Sequence, residues 1–126
     1  MNITLSAPDV GDREMDYAMR VLRSNQLSMG PWLGRFEKQF AAFMGTRYAI
    51  GVNSGTSALH LCVRALNIGA NDEVVTTSFS FVASVNCLLY EGALPALVDI
   101  DPQSLNIDPG AVRDFLRNQC RRSAEG

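Results

Sequence analysis

The sequence has few of the features that would tie it to a membrane, a nucleic acid or an oxidising compartment. No apolar run approaches the roughly 20 residues that cross a bilayer, and the first residues, Met1 to Leu5, lack a basic segment followed by an apolar one. Neither a membrane partner nor a secretory leader is expected, and the expected location is the cytoplasm. Eleven basic and 13 acidic residues leave a net charge of −2, and the basic ones are scattered apart from Arg121 and Arg122. Such a balance offers no broad attraction to nucleic acid. The three cysteines, Cys62, Cys87 and Cys120, are odd in number and far apart, which argues against a disulfide framework or a zinc site. They read as reduced thiols, with Cys62 and Cys87 at apolar helix positions in the core, and no metal site is expected. There is also no Gly-x-Gly-x-x-Gly after the first strand and no P-loop lysine.

What the chain does have is a 47% hydrophobic composition over 126 residues, enough for one soluble globular domain. Met15, Ala18, Met19 and Leu22 recur at helical spacing and predict an amphipathic first helix opened by Asp12. The stretch from Ser24 to Leu33 breaks that period with Asn25, Gly30 and Pro31, and carries the only tryptophan, Trp32. A tryptophan beside Gly-Pro is more often a packing anchor than a ligand contact. Leu33, Phe36, Phe40 and Phe43 then mark a second helix, with its aromatic stripe expected in the core and Gly45 at the C-cap. Tyr48 to Val52, Glu73 to Thr77 and Leu94 to Ile100 read as three strands. Helices are expected after each: one from the Ser54 turn, one beginning at Ser78-Phe79-Ser80 and ending at Gly92, and one opened by Asp108-Pro109. This alternation predicts an α/β fold with a mostly parallel sheet and flanking helices. The tail from Cys120 to Gly126 shows no period and is expected to fray.

The chain is organised around Gly51-Val52-Asn53-Ser54-Gly55-Thr56-Ser57-Ala58-Leu59, where an apolar run meets a small polar turn and a helical pattern begins. Gly55 lets the backbone come close to a ligand, and the first amides of a helix have no partner within it, so the turn reads as an anion cradle. Capping by Ser54 or Thr56 alone would account for the same residues about equally well. In parallel sheets ligands gather at the carboxyl ends of the strands. Three stretches fall there: Ser54 to Ser57, Ser78 to Phe81, and the acidic Asp99 to Asp101.

Several motifs together resemble the DegT/DnrJ/EryC1/StrS aminotransferases. They are Asn53 to His60, Gly69 with Asp72 to Val75, Ser78 to Ala83, Gly92-Ala93 with Pro95, and Val98 to Pro102. The resemblance runs from about Leu5 to Phe115. It implies the N-terminal part of the large domain of the aspartate-aminotransferase fold (fold type I), residues 1–45 being a helical arm with a substrate-side loop and 46–126 the start of the cofactor-binding domain. It implies pyridoxal 5'-phosphate as cofactor, with Gly55, Thr56 and Ser57 at its phosphate and Phe81 stacked on its ring. Read from the residues alone, Phe81 is more simply a core phenylalanine. Ser28 and Gly30, within Ser28-Met29-Gly30-Pro31, resemble the family's substrate-side loop. The implied reaction transfers an amino group from an amino acid, glutamate by resemblance, to a nucleotide-linked keto-sugar, in a homodimer.

That reaction runs through a Schiff base on a lysine. The only lysine here, Lys38, falls on the polar side of the second helix between Glu37 and Gln39. The family's lysine, its aspartate at the pyridine nitrogen and its small C-terminal domain all belong to later sequence. The chain thus reads as roughly the first third of such an enzyme, inactive alone and with no catalytic residue of its own. Two other readings stand beside this one: a non-catalytic module holding a sugar phosphate or nucleotide, and a dehydratase relative whose lysine is replaced.

Overall fold

The computed structural model describes residues 6–120, and the expected frayed tail from 121 onward lies outside them. The chain divides into two compact units, one running to Gly51 and the other starting at Val52.

The first unit holds two helices. α1 spans Asp12–Arg23, its entry fixed by the Glu14 carboxylate, which accepts the Gly11 amide at 2.8 Å. That hydrogen bond holds the Glu14 carboxyl below the usual carboxylate range. α2 spans Pro31–Met44, with proline in its first turn and Gly45 at its C-cap with φ 66°. This left-handed turn is where glycine is favoured. The aromatic stripe of α2 is not core: Phe43 is 85% exposed and Phe36 and Phe40 are about half exposed, because the described residues pack nothing over that face.

Tyr48 to Val52, expected as a strand, has no strand pairing. A strand exists only by virtue of a neighbour's hydrogen bonds, and among the described residues no neighbouring strand offers them. Locally the Gly51 amide instead donates to the Glu37 carboxylate at 2.8 Å.

The second unit runs α3 (Gly55–Ala65), β1 (Glu73–Thr77), α4 (Ala83–Leu89), β2 (Leu94–Val98) and α5 (Pro109–Asn118). β1 and β2 are parallel, in a register that pairs Glu73 with Leu94 and Thr77 with Val98, so both strands end at the same edge. α4 begins later than the sequence suggests. Residues 78–82 form an open turn in which the Phe79 amide donates to Thr77 Oγ1, delaying the helix to Ala83. The third expected strand stops at Val98; Ile100 makes only an isolated antiparallel bridge to Ile107. Asp108 caps α5 by accepting the Gly110 amide at 2.7 Å, with Pro109 in the first turn, as its sequence predicts.

The core of this unit is Val63, Cys87, Leu88 and Ala93, joined by Ile68 and Val74, so it lies between α3, α4 and the sheet. Cys87 is buried there. Cys62 is exposed, contrary to expectation, because Val63 and not its neighbour faces inward from α3. No described helix is long and apolar enough to cross a membrane.

Candidate functional site

The turn before α3 is held by its own side chains. Ser54 is the N-cap, its Oγ accepting the Ser57 amide at 3.1 Å. The Ser57 hydroxyl donates to Asn53 Oδ1 at 2.8 Å and lies 2.9 Å from Ser54 Oγ. Three residues therefore fix the loop conformation before any ligand arrives. The Ala58 amide is taken by the Ser54 carbonyl. The amides of Gly55 and Thr56 have no partner among the described residues. They are two of the orphan donors of a helix N-terminus, where the helix dipole also favours negative charge.

These two donors border a cleft of about 490 Å³. Gly55, Thr56 and Leu59 of α3 form one side and Phe81, Ala83 and Ser84 the other. The volume falls within the roughly 300–1,000 Å³ typical of small-molecule sites. A Cβ placed on Gly55 would meet no protein atom within 4 Å, so the space beside this backbone is open. Phe81 is 77% exposed: its ring is not a core side chain but part of the cleft wall. A pair of free amides, open space at the glycine and an aromatic face suit a flat ring bearing a phosphate.

The structure brings Gly55, Thr56 and Phe81 together on this cleft. Ser57 sits in the same turn, but its amide and hydroxyl are committed to Ser54 and Asn53. Ser28 and Gly30 belong to the first unit, in the loop before α2, where Gly30 is the N-cap and a Cβ on it would lie 3.1 Å from the Gln26 carbonyl. Lys38 is exposed on α2. Asp101 closes its own turn, accepting the amides of Ser104 at 2.7 Å and Gln103 at 3.2 Å, and the Ser104 bonds chiefly hold its carboxyl below the ordinary range. The described residues contain no cluster of histidine, cysteine and carboxylate side chains able to hold a metal.

Sequence reasoning missed a contact between α3 and the residues that follow α4. His60 of α3 meets the Glu91 carboxylate, which follows α4, at 2.5 Å, while Arg64 reaches the same oxygen at 3.3 Å. Tyr90 packs edge-on to the His60 ring, with centroids 5.3 Å apart. The His60 hydrogen bond, more than the nearby Arg64, holds the Glu91 carboxyl below its usual range. His60 and Glu91 are 31 residues apart, and no local pattern links them. Leu59 could have been found from helical spacing, three residues beyond Thr56 on α3.

The sequence profile of the DegT/DnrJ/EryC1/StrS aminotransferase family matches residues 8–121. The chain belongs to this family. Within it, the chain is 44% identical over 104 residues to the spore coat polysaccharide biosynthesis protein SpsC of Bacillus subtilis (strain 168), covering 82% of this chain and 27% of the relative. It is 41% identical over 115 residues to the GDP-perosamine synthase of Caulobacter vibrioides, covering 90% of this chain and 31% of that protein. The solved E. coli GDP-4-keto-6-deoxy-D-mannose-3-dehydratase with bound hydrated pyridoxal phosphate superposes with a TM-score of 0.82 at 30% identity, over 90% of this chain and 31% of that one. The chain therefore spans about a third or less of the length of these DegT/DnrJ/EryC1/StrS relatives, and its α/β arrangement is a portion of their larger fold. Pyridoxal phosphate is the family's cofactor.

Proposed function

We propose that this chain is the cofactor-phosphate-holding portion of a sugar aminotransferase, which moves an amino group from an amino acid, glutamate, to a keto-sugar linked to a nucleotide. The observation that carries this reading is the pair of unpartnered amides at Gly55 and Thr56, opening on a cleft walled by Phe81, in a chain of this family. Gly55 and Thr56 would hold the phosphate with their free amides, in the manner of helix N-termini that bind anions. Ser57 acts with Asn53 and Ser54 by holding the turn, so that the donors need no rearrangement on binding. The Phe81 ring, on the wall of the cleft, would offer the cofactor's flat ring an apolar face and keep water from it. Pyridoxal phosphate, when bound, supplies the electron sink for chemistry at the amino-bearing carbon.

Ser28 and Gly30 are the proposed acceptor-side contacts, and the lysine that joins the cofactor is proposed to lie outside these 126 residues. Residues 1–45 would form the arm and 46–126 the start of the cofactor domain. We infer a cytoplasmic homodimer, in keeping with the wide exposed apolar face of α2.

A dehydratase reading draws specific support from the likeness to the E. coli 3-dehydratase. One experiment on the full-length enzyme separates the two. Borohydride reduction in the presence of cofactor should leave a phosphopyridoxyl lysine in a peptide outside these residues. A bound cofactor that reduction never fixes to lysine would favour the dehydratase, and failure to bind cofactor would overturn both.

A further inference from the structure

His60, Arg64 and Glu91 join α3 to the end of α4, and none of them lines the cleft that Gly55, Thr56 and Phe81 border. The Glu91 side chain is only 19% exposed, so its carboxylate depends on the two partners that α3 supplies. An ionised carboxylate only accepts, and Glu91 is held below the usual carboxylate range, so Nε2 of His60 carries the proton they share. The Tyr90 ring packs edge-on to His60 and encloses the contact further.

Glu91 is in turn locked to α4. Its amide donates to the Leu88 carbonyl at 3.1 Å, and Gly92, with φ 75°, closes the helix just beyond it. The start of α4 has no comparable hold: Val82 precedes it without a side-chain cap, and the exposed Phe81 stands one residue earlier in the open turn. α4 has seven residues and is therefore only roughly 10 Å long. A shift at Glu91 is carried along so short a helix to Ala83, Ser84 and the Phe81 wall. α3, by contrast, is fixed at its own start, where Ser54 holds the turn that presents the Gly55 and Thr56 amides.

We propose that His60 and Glu91 are positioning residues for the ligand of this cleft: by tying the end of α4 to α3 they set the span between the Gly55 and Thr56 amides and the Phe81 ring. Naming that ligand as pyridoxal phosphate rests on the function proposed above; the hold of the pair on the two walls does not.

A change in that span is felt only by a ligand that touches both walls. In the full-length enzyme stripped of cofactor, Glu91→Ala should weaken pyridoxal phosphate binding, followed by absorbance, by about tenfold or more, the cost of one lost stacking contact. Inorganic phosphate, which needs only the amides and is measured by competition with the cofactor, should keep its affinity within about twofold. Glu91→Ala combined with Phe81→Ala should bind cofactor within about twofold of Phe81→Ala alone, the non-additivity of residues that act through one another. His60→Leu should behave as Glu91→Ala does. Glu91→Gln keeps an acceptor, so it should lose less affinity, and it carries the same comparisons if Glu91→Ala does not fold. With no ligand present, amide hydrogen exchange across residues 81–89 should quicken by about tenfold in Glu91→Ala. Unchanged cofactor affinity, a loss shared equally by phosphate, additive effects with Phe81→Ala, or unchanged exchange in α4 would each overturn the proposal. An enzyme that takes no cofactor would sink the aminotransferase reading alone, and the exchange across α4 would still decide this one.

Discussion

Replacing Gly55 by alanine should separate the stability of the fold from affinity for its ligand. Gly55 opens α3 without a positive φ, and a Cβ there meets nothing within 4 Å, so the protein itself has no use for a glycine at this position. Alanine narrows the conformational freedom of the unfolded chain and should stabilise the ligand-free protein by about 0.4–1 kcal/mol. That corresponds to a rise of a few degrees in melting temperature for a small domain. The same methyl group stands in the open space where phosphate is proposed to approach the Gly55 and Thr56 amides. Displacing the phosphate from even one charge-assisted hydrogen bond costs about 1.5–3 kcal/mol, or roughly 10- to 150-fold in dissociation constant. Thermal melting by circular dichroism, paired with a pyridoxal phosphate titration followed by absorbance, measures both effects. A bulkier Gly55→Val should lose more affinity. An alanine variant with unchanged affinity would place the phosphate elsewhere, and one destabilised by more than about 1 kcal/mol without ligand would mean that the space beside Gly55 is not open.

Ser54→Ala removes the acceptor of the Ser57 amide and should cost about 1 kcal/mol in chemical denaturation, with cofactor affinity falling because the turn is no longer held. Glu91 has a folded-state pKa below its unfolded one, so its stabilisation is present above the ordinary carboxylate range and is lost as pH falls through the lowered value. The denaturation midpoint should therefore drop on acidification below about pH 4.5, and Glu91→Gln should flatten that drop; a variant with the wild-type profile would show that the His60 contact does not contribute. The exposed Phe36, Phe40 and Phe43 predict self-association in sedimentation, reduced by Phe43→Glu; a monodisperse monomer of the unmodified chain would contradict this.

Locally determined features were legible in the sequence. The Gly45 C-cap, the Asp108-Pro109 entry to α5 and the Ser54 turn each follow from a few adjacent residues with fixed conformational preferences, and each is found where it was expected. The strand expected at Tyr48 to Val52 was not, because its apolar pattern describes what the segment could bury, whereas a strand also needs a neighbouring edge. The delayed start of α4 has a similar cause: residues 78–82 fit a helical period, but Thr77 Oγ1 takes the Phe79 amide and Ser80 pairs with Ser84 across an open turn. At the site, the amide donors were readable from the Ser-Gly-Thr turn, whereas the place of Phe81 came from resemblance, since periodicity alone assigned it to the core. The His60–Glu91 contact and the Trp32–Tyr17 ring contact join residues of separate helices and turns, and only the folded chain brings them together.

The central claim is that the Gly55 and Thr56 amides receive the phosphate of the cofactor, and the amide resonances of this chain test it most directly. On titration with pyridoxal phosphate, the nitrogen and proton shifts of Gly55 and Thr56 should move furthest and saturate together. Pyridoxal, which lacks the phosphate, should leave them nearly unmoved. Shifts that bypass these two residues, or that pyridoxal reproduces at the same concentration, would contradict the account.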